Sequence, residues 1–469
     1  MRYDYDVVVI GGGPAGQQVA YALADKKRVV IGGGPAGQQV AYALADKKRV
    51  LIVENDLWGG TCPNRGCDPK KMLYGVVEAK RQTSLYQNKG LAGTAELTVD
   101  WPAMIDFKDS YTSKIPGATE GGLRQANIHH NRGTAKLLSN HAIDLEGEEL
   151  SADKIIIATG AKAAVPNIPG AEFIEISDDF LNEKVFPEKI AIIGAGYVAI
   201  ELANIAVTAG VEVHVFQRDH EILKAFPAEY TKQVADNLIQ KGVHFHWNAH
   251  VTHVKKTANE LEVGTDDETV AGFKHVYAAT GRPANVAALD LSAAGVEMAE
   301  TGGVKVNEYL QTTVENIYAI GDVAASPAPK LTPVAGIEGR YVAKLISGEI
   351  SEPIHYPTIA QLIFAGPELG QVGVSLDVAK KNPADYETMA YDLSGWYTYN
   401  RIQDASAQAT IVVNHDSGMI VGATVLATNA EELLNYFAEM IANEHTSEDL
   451  SKWVPVYPSA ASDLQYLYE

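Results

Sequence analysis

The chain has 469 residues, 46% of them hydrophobic, and a formal net charge of -21 at pH 7. This length suggests three or four domains, and no stretch has the uninterrupted apolar length of a membrane span. The acidic excess repels phosphate backbones and anionic lipids, which argues against nucleic-acid and membrane partners. Acids in the N-terminal segment Met1–Asp6, where a secretory signal is positive, and a total of two cysteines predict a cytoplasmic protein.

An exact tandem repeat opens the chain, because residues 8–28 recur unchanged at 29–49. Solenoids contain several diverged copies, so this repeat indicates a recent event, an engineered change or an error in the assembled sequence. Only one strand–turn–helix unit is needed before the strand Val50–Glu54. We expect the second copy to be used, with Arg28–Ile31 as the first strand, because it is continuous with the next strand. The alternative is the first copy, with the strand Tyr5–Ile10.

A Gly-x-Gly-x-x-Gly fingerprint follows the apolar run in each copy. The second copy supplies Gly32, Gly34, Pro35, Ala36 and Gly37, and the first supplies Gly11, Gly13 and Gly16. The first glycine permits a tight turn, the second lets the backbone approach a pyrophosphate, and the third brings helix and strand together. Glu54 ends the next strand, where an acid accepts the hydroxyls of a ribose. The segment therefore predicts a dinucleotide site.

Cys62 and Cys67 follow this unit in the run Gly-Gly-Thr-Cys-Pro-Asn-Arg-Gly-Cys-Asp-Pro-Lys-Lys. A disulfide framework would need more cysteines, and a zinc site would need further ligands at metal spacing, so no metal site is predicted. Two inert buried thiols are the alternative interpretation. The position beside a dinucleotide site favours a pair that cycles between dithiol and disulfide.

A second fingerprint, Gly194, Ala195, Gly196, Tyr197 and Val198, lies between an apolar run and a predicted helix, and Gly281 closes that unit. The next predicted strand ends in Gln217 and Arg218 and not in an acid. A carboxylate there would repel the 2'-phosphate of NADPH, whereas Arg218 and Lys224 can bind it. NADPH is therefore the predicted nucleotide. The alternative is that both cations are solvated surface charges, and Asp219 beside Arg218 favours that alternative.

Three features together resemble the FAD-dependent pyridine nucleotide-disulfide oxidoreductases, over nearly the whole chain. They are the Cys-containing run, the two fingerprints and the run Ala319-Ile320-Gly321-Asp322. The resemblance implies an α/β fold with two Rossmann-like dinucleotide-binding domains, for FAD and NAD(P)H, and a C-terminal α+β dimerisation domain. The expected boundaries are 1–168 and 285–349 for the two parts of the FAD-binding domain, 169–284 for the NAD(P)H-binding domain and 350–469 for the dimerisation domain.

The resemblance also implies cofactor contacts. Around FAD it places Gly60, Thr61, Lys70, Ala135, Thr159, Gly160, Asp322 and Thr332, with Asp322 as the ligand of the flavin ribityl chain. Hydride passes from the nicotinamide to one face of the flavin, and the Cys62–Cys67 disulfide on the other face accepts the electron pair. Tyr197 matches an aromatic lid over the nicotinamide pocket.

Roles for the catalytic residues are implied in the same way. Cys67 matches the flavin-side charge-transfer thiolate, and Cys62 matches the interchange thiol that attacks the substrate disulfide. Lys70 and Glu201 match an ion pair near the flavin, where Lys70 stabilises negative charge on the reduced ring.

The C-terminus departs from the family pattern. Tyr457 stands where the family has a catalytic histidine, and Ser462 aligns with the acid that orients it. A histidine near pKa 6.5 acts as base and acid at neutral pH, whereas a tyrosine near 10 stays protonated and mainly donates. We expect Tyr457 to protonate a departing thiolate; a packing role at the interface is the alternative. Because this segment reaches into the partner subunit's site in the family, a homodimer is implied.

The implied substrate is a small anionic disulfide of the glutathione type. Arg340 matches a substrate-side arginine and Arg65 adds a cation between the cysteines, but Tyr42 and Ala43 replace the arginines of glutathione reductases. No cysteine follows Cys67, so a C-terminal redox pair is absent. Alternatives are an NAD(P)H oxidase or quinone reductase, and a protein without turnover because the duplication disrupts flavin binding.

Overall fold

The computed structural model describes residues 5–11, residue 13 and residues 50–468. They form two compact units. The first unit contains residues up to 70, residues 106–164 and residues 281–356. The second unit contains residues 71–105, 165–280 and 357 onward.

The strands of the described chain are numbered in sequence order. They are β1 Tyr5–Ile10, β2 Val50–Glu54, β3 His129–Arg132, β4 Ala135–Ser139, β5 Ala142–Leu145, β6 Glu148–Ile157, β7 Glu175–Ile176, β8 Lys189–Ile193, β9 Glu212–Gln217, β10 His244–Trp247, β11 Val251–Lys256, β12 Leu261–Thr265, β13 Thr269–Phe273, β14 His275–Ala278, β15 Ile317–Ala319, β16 Gln361–Ile363, β17 Glu368–Gly373, β18 Tyr386–Asp392, β19 Gln408–Asn414 and β20 Ile420–Ala427.

The α-helices of the same residues are numbered likewise. They are α1 Thr61–Arg65, α2 Cys67–Leu85, α3 Trp101–Thr112, α4 Ile115–Gln125, α5 Ser177–Asn182, α6 Tyr197–Ala209, α7 Ala228–Gln240, α8 Thr332–Ile346, α9 Leu376–Lys381, α10 Tyr397–Arg401, α11 Ala430–Ala442, α12 Ser447–Leu450 and α13 Leu464–Leu467. None of them is long and apolar enough to cross a membrane.

A seven-stranded sheet organises the first unit, in the order β3-β2-β1-β6-β5-β4, with β15 also paired to β6. Strands β3, β2, β1, β6 and β15 are parallel, whereas β4 and β5 add an antiparallel extension. The parallel strands contain continuous apolar runs, such as Leu51–Val53 and Ile155–Ile157, that are at most 1% exposed. Such runs are typical of strands covered on both faces.

The first strand comes from the first copy of the repeat. Strand β1 pairs in parallel with β2 through Val8–Leu51 and Ile10–Val53 and with β6 through Tyr5–Ala152. Because residues 5–7 precede the repeat, the expectation that Arg28–Ile31 forms this strand is wrong. Tyr and Val at these positions favour a strand more than the Lys-Lys-Arg that precedes the second copy.

Strand β1 ends at a close approach of two backbones. Gly11 has φ +116°, and a Cβ there would lie 2.0 Å from the Ala158 carbonyl oxygen, so the position requires glycine. The predicted fingerprint of the second copy, from Gly32 to Gly37, lies outside the described residues.

A five-stranded parallel sheet, in the order β10-β9-β8-β14-β7, and a three-stranded antiparallel sheet, β11–β13, form one part of the second unit. Helix α6 has nine buried residues, of which the seven apolar ones share a core with the alternate positions Ile190 and Ile192 of β8 and Val213 and Val215 of β9. The other face of β8 and β9 packs with residues of β11–β13, such as Val263 and Phe273.

A five-stranded antiparallel sheet, β16-β17-β20-β19-β18, forms the other part of the second unit. Helix α11 buries Leu433, Leu434, Phe437 and Met440, which recur at helical spacing and share one core with β19 and β20. Parallel sheets with helices and a separate antiparallel sheet confirm the expected α/β fold class with an α+β C-terminal part.

Candidate active site

The two cysteines flank a break between two helices of the chain. Cys62 lies in α1, Cys67 begins α2, and both are free thiols. Gly66 fills the break, where a Cβ would lie 3.0 Å from the Cα of Cys62 and from the Thr61 carbonyl oxygen. Glycine at position 66 therefore lets the chain turn tightly enough between α1 and α2 to bring the thiols together.

The surroundings of the two thiols are unequal. Cys67 is the first residue of a 19-residue helix, whose positive dipole end stabilises a thiolate. Thr332, the first residue of α8, places its Oγ1 3.9 Å from the Cys67 Sγ. Hydrogen bonding to Cys67, followed by burial, raises the pKa of Cys62. The position of Cys67 at the helix N-terminus favours it as the thiolate of the pair.

Asp68 is a neighbour of the dithiol that sequence reasoning did not consider. Its Oδ1 lies 3.9 Å from the Cys62 Sγ, and its Oδ2 accepts a hydrogen bond of 3.2 Å from the Tyr111 hydroxyl. The negative charge of Asp68 adds to the rise in the pKa of Cys62. An acid directly after Cys67 was the available signal in the sequence.

Arg65 has a contact within the chain in addition to the expected contact with a substrate. Its guanidinium forms an ion pair with Asp56, just beyond the end of β2. Glu54 ends that strand, as expected, and its Oε1 accepts a hydrogen bond of 2.9 Å from the Asp56 backbone N–H. Gly60 is the residue before α1, and Thr61 begins it. Ala135 begins β4 and is 3% exposed.

Two predicted flavin ligands carry polar groups that the described residues leave unsatisfied. The Thr159 Oγ1 is buried and has no hydrogen-bond partner among them. Asp322 makes no side-chain hydrogen bond or ion pair with them, and burial raises the pKa of its carboxyl against the attraction of Arg282 and Lys330. Buried polar groups normally find partners, so these groups fit a polar ligand such as a flavin nucleotide. Gly160, with φ +68°, adds a backbone that a ligand can approach closely.

Glu338 holds the loop that carries Asp322. This carboxylate is fully buried, accepts a 2.6 Å hydrogen bond from the Gly321 N–H and accepts a 2.8 Å bond from the Tyr356 hydroxyl. Sequence reasoning missed Glu338, because a glutamate within a helix is ordinarily a surface residue. Its role depends on tertiary contacts.

The second fingerprint forms the turn between β8 and α6. Gly194 has φ +101°, and a Cβ there would lie 2.6 Å from the Ala279 carbonyl oxygen. Gly196 precedes the first turn of α6, and a Cβ there would meet no atom within 4 Å. Open space at a helix N-terminus suits a pyrophosphate. Ala195 is buried, Val198 is half-buried and Tyr197 is 49% exposed.

Two cations, Arg218 and Lys224, and two carboxylates, Asp219 and Glu221, lie beyond the end of β9, and the Lys224 Nζ is 3.8 Å from the Glu221 Oε2. The Lys224 Nζ is 2.6 Å from the Asp219 Oδ2, whereas the Arg218 Nε is 3.9 Å from that oxygen and its side chain is 79% exposed. The hydrogen bond from Lys224 lowers the pKa of Asp219, which is therefore an anion at neutral pH. Gln217 donates 2.8 Å to the Asp219 Oδ1. Asp219 thus competes with a phosphate for Lys224 more than for Arg218.

Glu201 pairs with a lysine one position beyond the expected one. The Lys71 Nζ lies 2.9 and 2.8 Å from its two carboxylate oxygens, and the Phe364 N–H donates to Oε1 at 3.0 Å. The resemblance implied Lys70 for this ion pair. Consecutive residues of a helix point about 100° apart, so the sequence does not decide which lysine faces the carboxylate. Lys70 is itself buried, 7% exposed.

Tyr457 lies on the surface of the second unit. Its side chain is 76% exposed and stacks on Tyr397, with ring centroids 6.5 Å apart. Ser462 is buried and donates a 2.7 Å hydrogen bond to the Ser459 carbonyl oxygen. Within this chain, its hydroxyl is therefore engaged with the backbone and does not take the place of the acid that orients a catalytic residue. Gly281 belongs to the first unit, where its carbonyl oxygen accepts from the Ala164 N–H at 3.0 Å.

Comparison with known proteins gives the same family for both parts of the chain. Residues 26–339 match the description "Pyridine nucleotide-disulphide oxidoreductase", and residues 359–467 match the dimerisation domain of that description. The chain belongs to this family. The first match begins just before the second copy of the repeat, although the strand that occupies the sheet is Tyr5–Ile10. The two copies are identical, so a sequence comparison can assign the match to one of them only by its continuity with the residues that follow.

Relatives of this oxidoreductase have different names. The chain is 31% identical to a glutathione reductase of Pisum sativum, over 86% of this chain and 73% of that protein. It is 31% identical to a dihydrolipoyl dehydrogenase of Chlamydia pneumoniae, over 98% of this chain and 95% of that protein. The solved structure of the HOCl-induced flavoprotein disulfide reductase RclA from Escherichia coli is 25% identical, covers 99% of both chains and superposes with a TM-score of 0.85.

The family establishes the general chemistry of this oxidoreductase. It is an NAD(P)H-dependent, FAD-containing disulfide oxidoreductase with a dimerisation domain. The resemblance inferred from the motifs is thus confirmed at the level of family and enzyme class.

Proposed function

We propose that this protein is a reductase that passes electrons from NADPH, through FAD and the Cys62–Cys67 pair, to a small anionic disulfide of the glutathione type. The observation that carries the proposal is the inequality of the two thiols. A thiolate favoured at a helix N-terminus, with a second thiol hydrogen-bonded to it, gives the pair two sulfurs with different roles in the exchange.

Three residues of the first unit would hold FAD through their polar side chains, and they are Asp322, Thr159 and Glu54. Asp322 would accept hydrogen bonds from ribityl hydroxyls, Thr159 would contribute its orphan hydroxyl, and Glu54 would accept from the adenosine ribose. FAD, when bound, supplies a two-electron carrier between nicotinamide and disulfide.

The thiols then perform a balanced exchange. Reduction breaks the Cys62–Cys67 bond and, with one proton from solvent, gives a Cys62 thiol and a Cys67 thiolate. The Cys62 sulfur attacks one sulfur of the substrate while its proton passes to the hydrogen-bonded Cys67, and the other substrate sulfur leaves with a proton from Tyr457. Cys67 then attacks Cys62 in the mixed disulfide while its proton passes to the departing substrate sulfur, which restores the disulfide and releases the second thiol. Solvent reprotonates Tyr457.

NADPH is the nucleotide that the charges beyond β9 favour. Gln217 leaves the strand end without a carboxylate of its own, and Arg218 offers a largely exposed guanidinium that is only loosely paired. A guanidinium binds phosphate oxygens in bidentate fashion. Asp219 weakens this attraction through Lys224, so we expect a preference for NADPH that is moderate in size.

The proposed substrate class rests on the positive charge of Arg340 and on the role of Cys62. Arg340 is exposed on α8, in the first unit that holds the dithiol. Cys62 is the proposed interchange thiol, so electrons would leave from it to a diffusible disulfide. We place this chemistry in the cytoplasm, where thiols are kept reduced.

A homodimer would bring Tyr457 to the site of the partner subunit. Around Tyr457, the exposed apolar side chains Val454, Val456 and Tyr397 are 94, 80 and 61% exposed. Apolar groups gathered on one surface mark an interaction site, and this surface lies in the dimerisation domain.

Removing the Tyr457 hydroxyl tests the proposed acid. We expect Tyr457→Phe to slow disulfide turnover by about tenfold or more, because a positioned proton donor typically contributes at least that much. Flavin reduction by NADPH should keep its rate, since this step precedes thiol exchange. Stopped-flow spectroscopy of the two half-reactions measures both effects.

The matched control for this variant is Tyr397→Phe, which removes the hydroxyl of the stacking partner only. Tyr457→His should restore or exceed the parent rate, because an imidazole donates and accepts protons at neutral pH. Unchanged turnover in Tyr457→Phe would assign Tyr457 to packing.

Anaerobic titration of the purified protein with NADPH tests the function as a whole. We expect a long-wavelength thiolate-to-flavin band that glutathione disulfide, or another small anionic disulfide in a panel, discharges with release of two thiols. NADH should give the same band with weaker binding. Slower reduction by NADPH than by NADH would contradict the nucleotide assignment.

An NADH or NADPH oxidase, or a quinone reductase, is the second candidate. It is favoured by one observation, that the acid–base partner expected for Cys62 is a tyrosine while the pKa of Cys62 is raised. Flavin bleaching without a long-wavelength band, reversed only by oxygen or quinone, would select this candidate over the disulfide reductase.

A further inference from the structure

Three histidines gather on one face of the parallel sheet in the second unit. In β9, Glu212 and His214 alternate with buried valines, and in the edge strand β10, His244 and His246 have the same alternation. The register places His244 beside His214. Side chains two residues apart share a face of a strand, so all four groups lie on one surface.

A chain of hydrogen bonds links these groups between two carboxylates. The His214 Nε2 lies 2.9 Å from the Glu212 Oε1, and the His214 Nδ1 lies 2.9 Å from the His246 Nε2. The His246 Nδ1 lies 2.6 Å from Oε1 of Glu268, in the turn between β12 and β13. His214 is 8% exposed, and Phe216 stacks on His246 at 4.3 Å, so the rings are fixed by packing.

The three hydrogen bonds between these side chains need one more hydrogen than two neutral imidazoles carry. Three hydrogen bonds between carboxylate, imidazole, imidazole and carboxylate need three hydrogens, and each neutral ring carries one. If His214 donates from Nδ1 and His246 donates to Glu268, then the His214 Nε2 presents a lone pair to the Glu212 carboxylate. A cation between those two atoms removes the conflict.

We propose that Glu212, His214 and His244 form a binding site for a divalent transition-metal ion, with Zn²⁺ as the ion of matching chemistry. One ligand atom from each of the three residues lies within 4.8 Å of the others. Two imidazoles and a carboxylate are a common zinc ligand set, and the exposed sides of Glu212 and His244 leave a fourth position for water. The site is independent of the proposed disulfide chemistry.

The remaining members of the chain support the ligands from behind. With the ion bound, His214 would donate from Nδ1 to His246, and His246 would donate to Glu268, which is the usual carboxylate–histidine support of a metal-bound imidazole.

Lys189 competes with the ion for one ligand atom. Its Nζ lies 3.0 Å from the same Glu212 Oε1 that faces His214. The ion must displace this ammonium, whose side chain is 22% exposed and has room to turn toward solvent. Lys189 therefore limits the affinity, and its removal should strengthen binding.

The test is a zinc titration of tag-free holoprotein carrying Cys62→Ser and Cys67→Ser, so that no dithiolate binds the metal. Competition against a chromophoric chelator measures affinity and stoichiometry, and Co²⁺ in place of Zn²⁺ reports the ligand geometry by its visible spectrum.

We expect one ion per chain. His244→Gln and Glu212→Gln each change an exposed ligand and should weaken binding by at least about tenfold, and Glu268→Gln should weaken it by about tenfold through the support of His246. Lys189→Met should tighten it.

His250→Gln is the matched control, because His250 is an exposed histidine of the same part of the chain outside the cluster. FAD content and near-ultraviolet circular dichroism establish that each variant is folded. Absence of a one-to-one zinc complex, or equal affinity in the parent and in both ligand variants, would overturn the proposal.

Discussion

Replacement of Cys67 by serine should abolish the long-wavelength band of the reduced protein and lower disulfide turnover by at least about a thousandfold, the scale on which an essential nucleophile acts. Cys67 begins α2, where the helix dipole favours the thiolate that produces such a band. FAD should remain bound, because the hydroxyl of serine fits the space of the thiol. The measurements are steady-state turnover with glutathione disulfide and anaerobic spectra.

Cys62→Ser should give an equal loss of turnover with a different spectrum. Here the Cys67 thiolate remains, and without Cys62 as its neighbour the band should be present even before reduction. The double variant should be no slower than either single variant, because two residues that act as one unit do not contribute additively. Full turnover in either single variant, or a band that survives Cys67→Ser, would exclude the dithiol mechanism.

Asp322→Asn should weaken FAD binding by about ten- to a hundredfold, while the protein without FAD becomes no less stable. Hydrogen bonds to a charged acceptor each contribute about 1.5–3 kcal/mol, and the flavin ribityl chain would lose that acceptor. Without the ligand, the same carboxylate is half-buried and has no hydrogen-bond partner among the described residues, and its partial desolvation disfavours the charged form. One substitution should therefore lower the melting temperature of the holoprotein and preserve or raise that of the apoprotein.

Fluorescence titration with FAD and thermal unfolding of both forms measure this difference. Asp416→Asn, which neutralises an exposed carboxylate in the turn after β19, is the matched control and should change neither quantity. Equal destabilisation of both forms by Asp322→Asn would assign Asp322 to the fold and not to the flavin.

Local sequence determined much of the architecture and the chemistry. The run around Cys62 and Cys67 predicted the dithiol, because glycine and cysteine at fixed spacing encode a tight turn whose geometry is local. The fingerprint from Gly194 to Val198 predicted the turn at the start of α6 for the same reason. Features with local causes were therefore accessible without coordinates.

Features with tertiary causes were not accessible in this way. The contact of Lys71 with Glu201 depends on how α2 is rotated, and Glu338 depends on a loop that is 17 residues distant in sequence. The histidine cluster depends on the register between β9 and β10 and on a third element that supplies Glu268. Alternation in the two strands predicts a shared face, but only the pairing of the strands brings the rings together.

The repeat that begins within β1 also determines which protein a deletion would produce. The two copies are identical, so excision of residues 8–28 and excision of residues 29–49 yield one and the same polypeptide. In that shorter chain, the segment Tyr5–Ile10 leads into a single glycine-rich loop and then into Val50–Glu54. The ambiguity between copies vanishes at the level of the gene product, and this shortened protein is an unbiased reference for any effect of the duplication on flavin affinity.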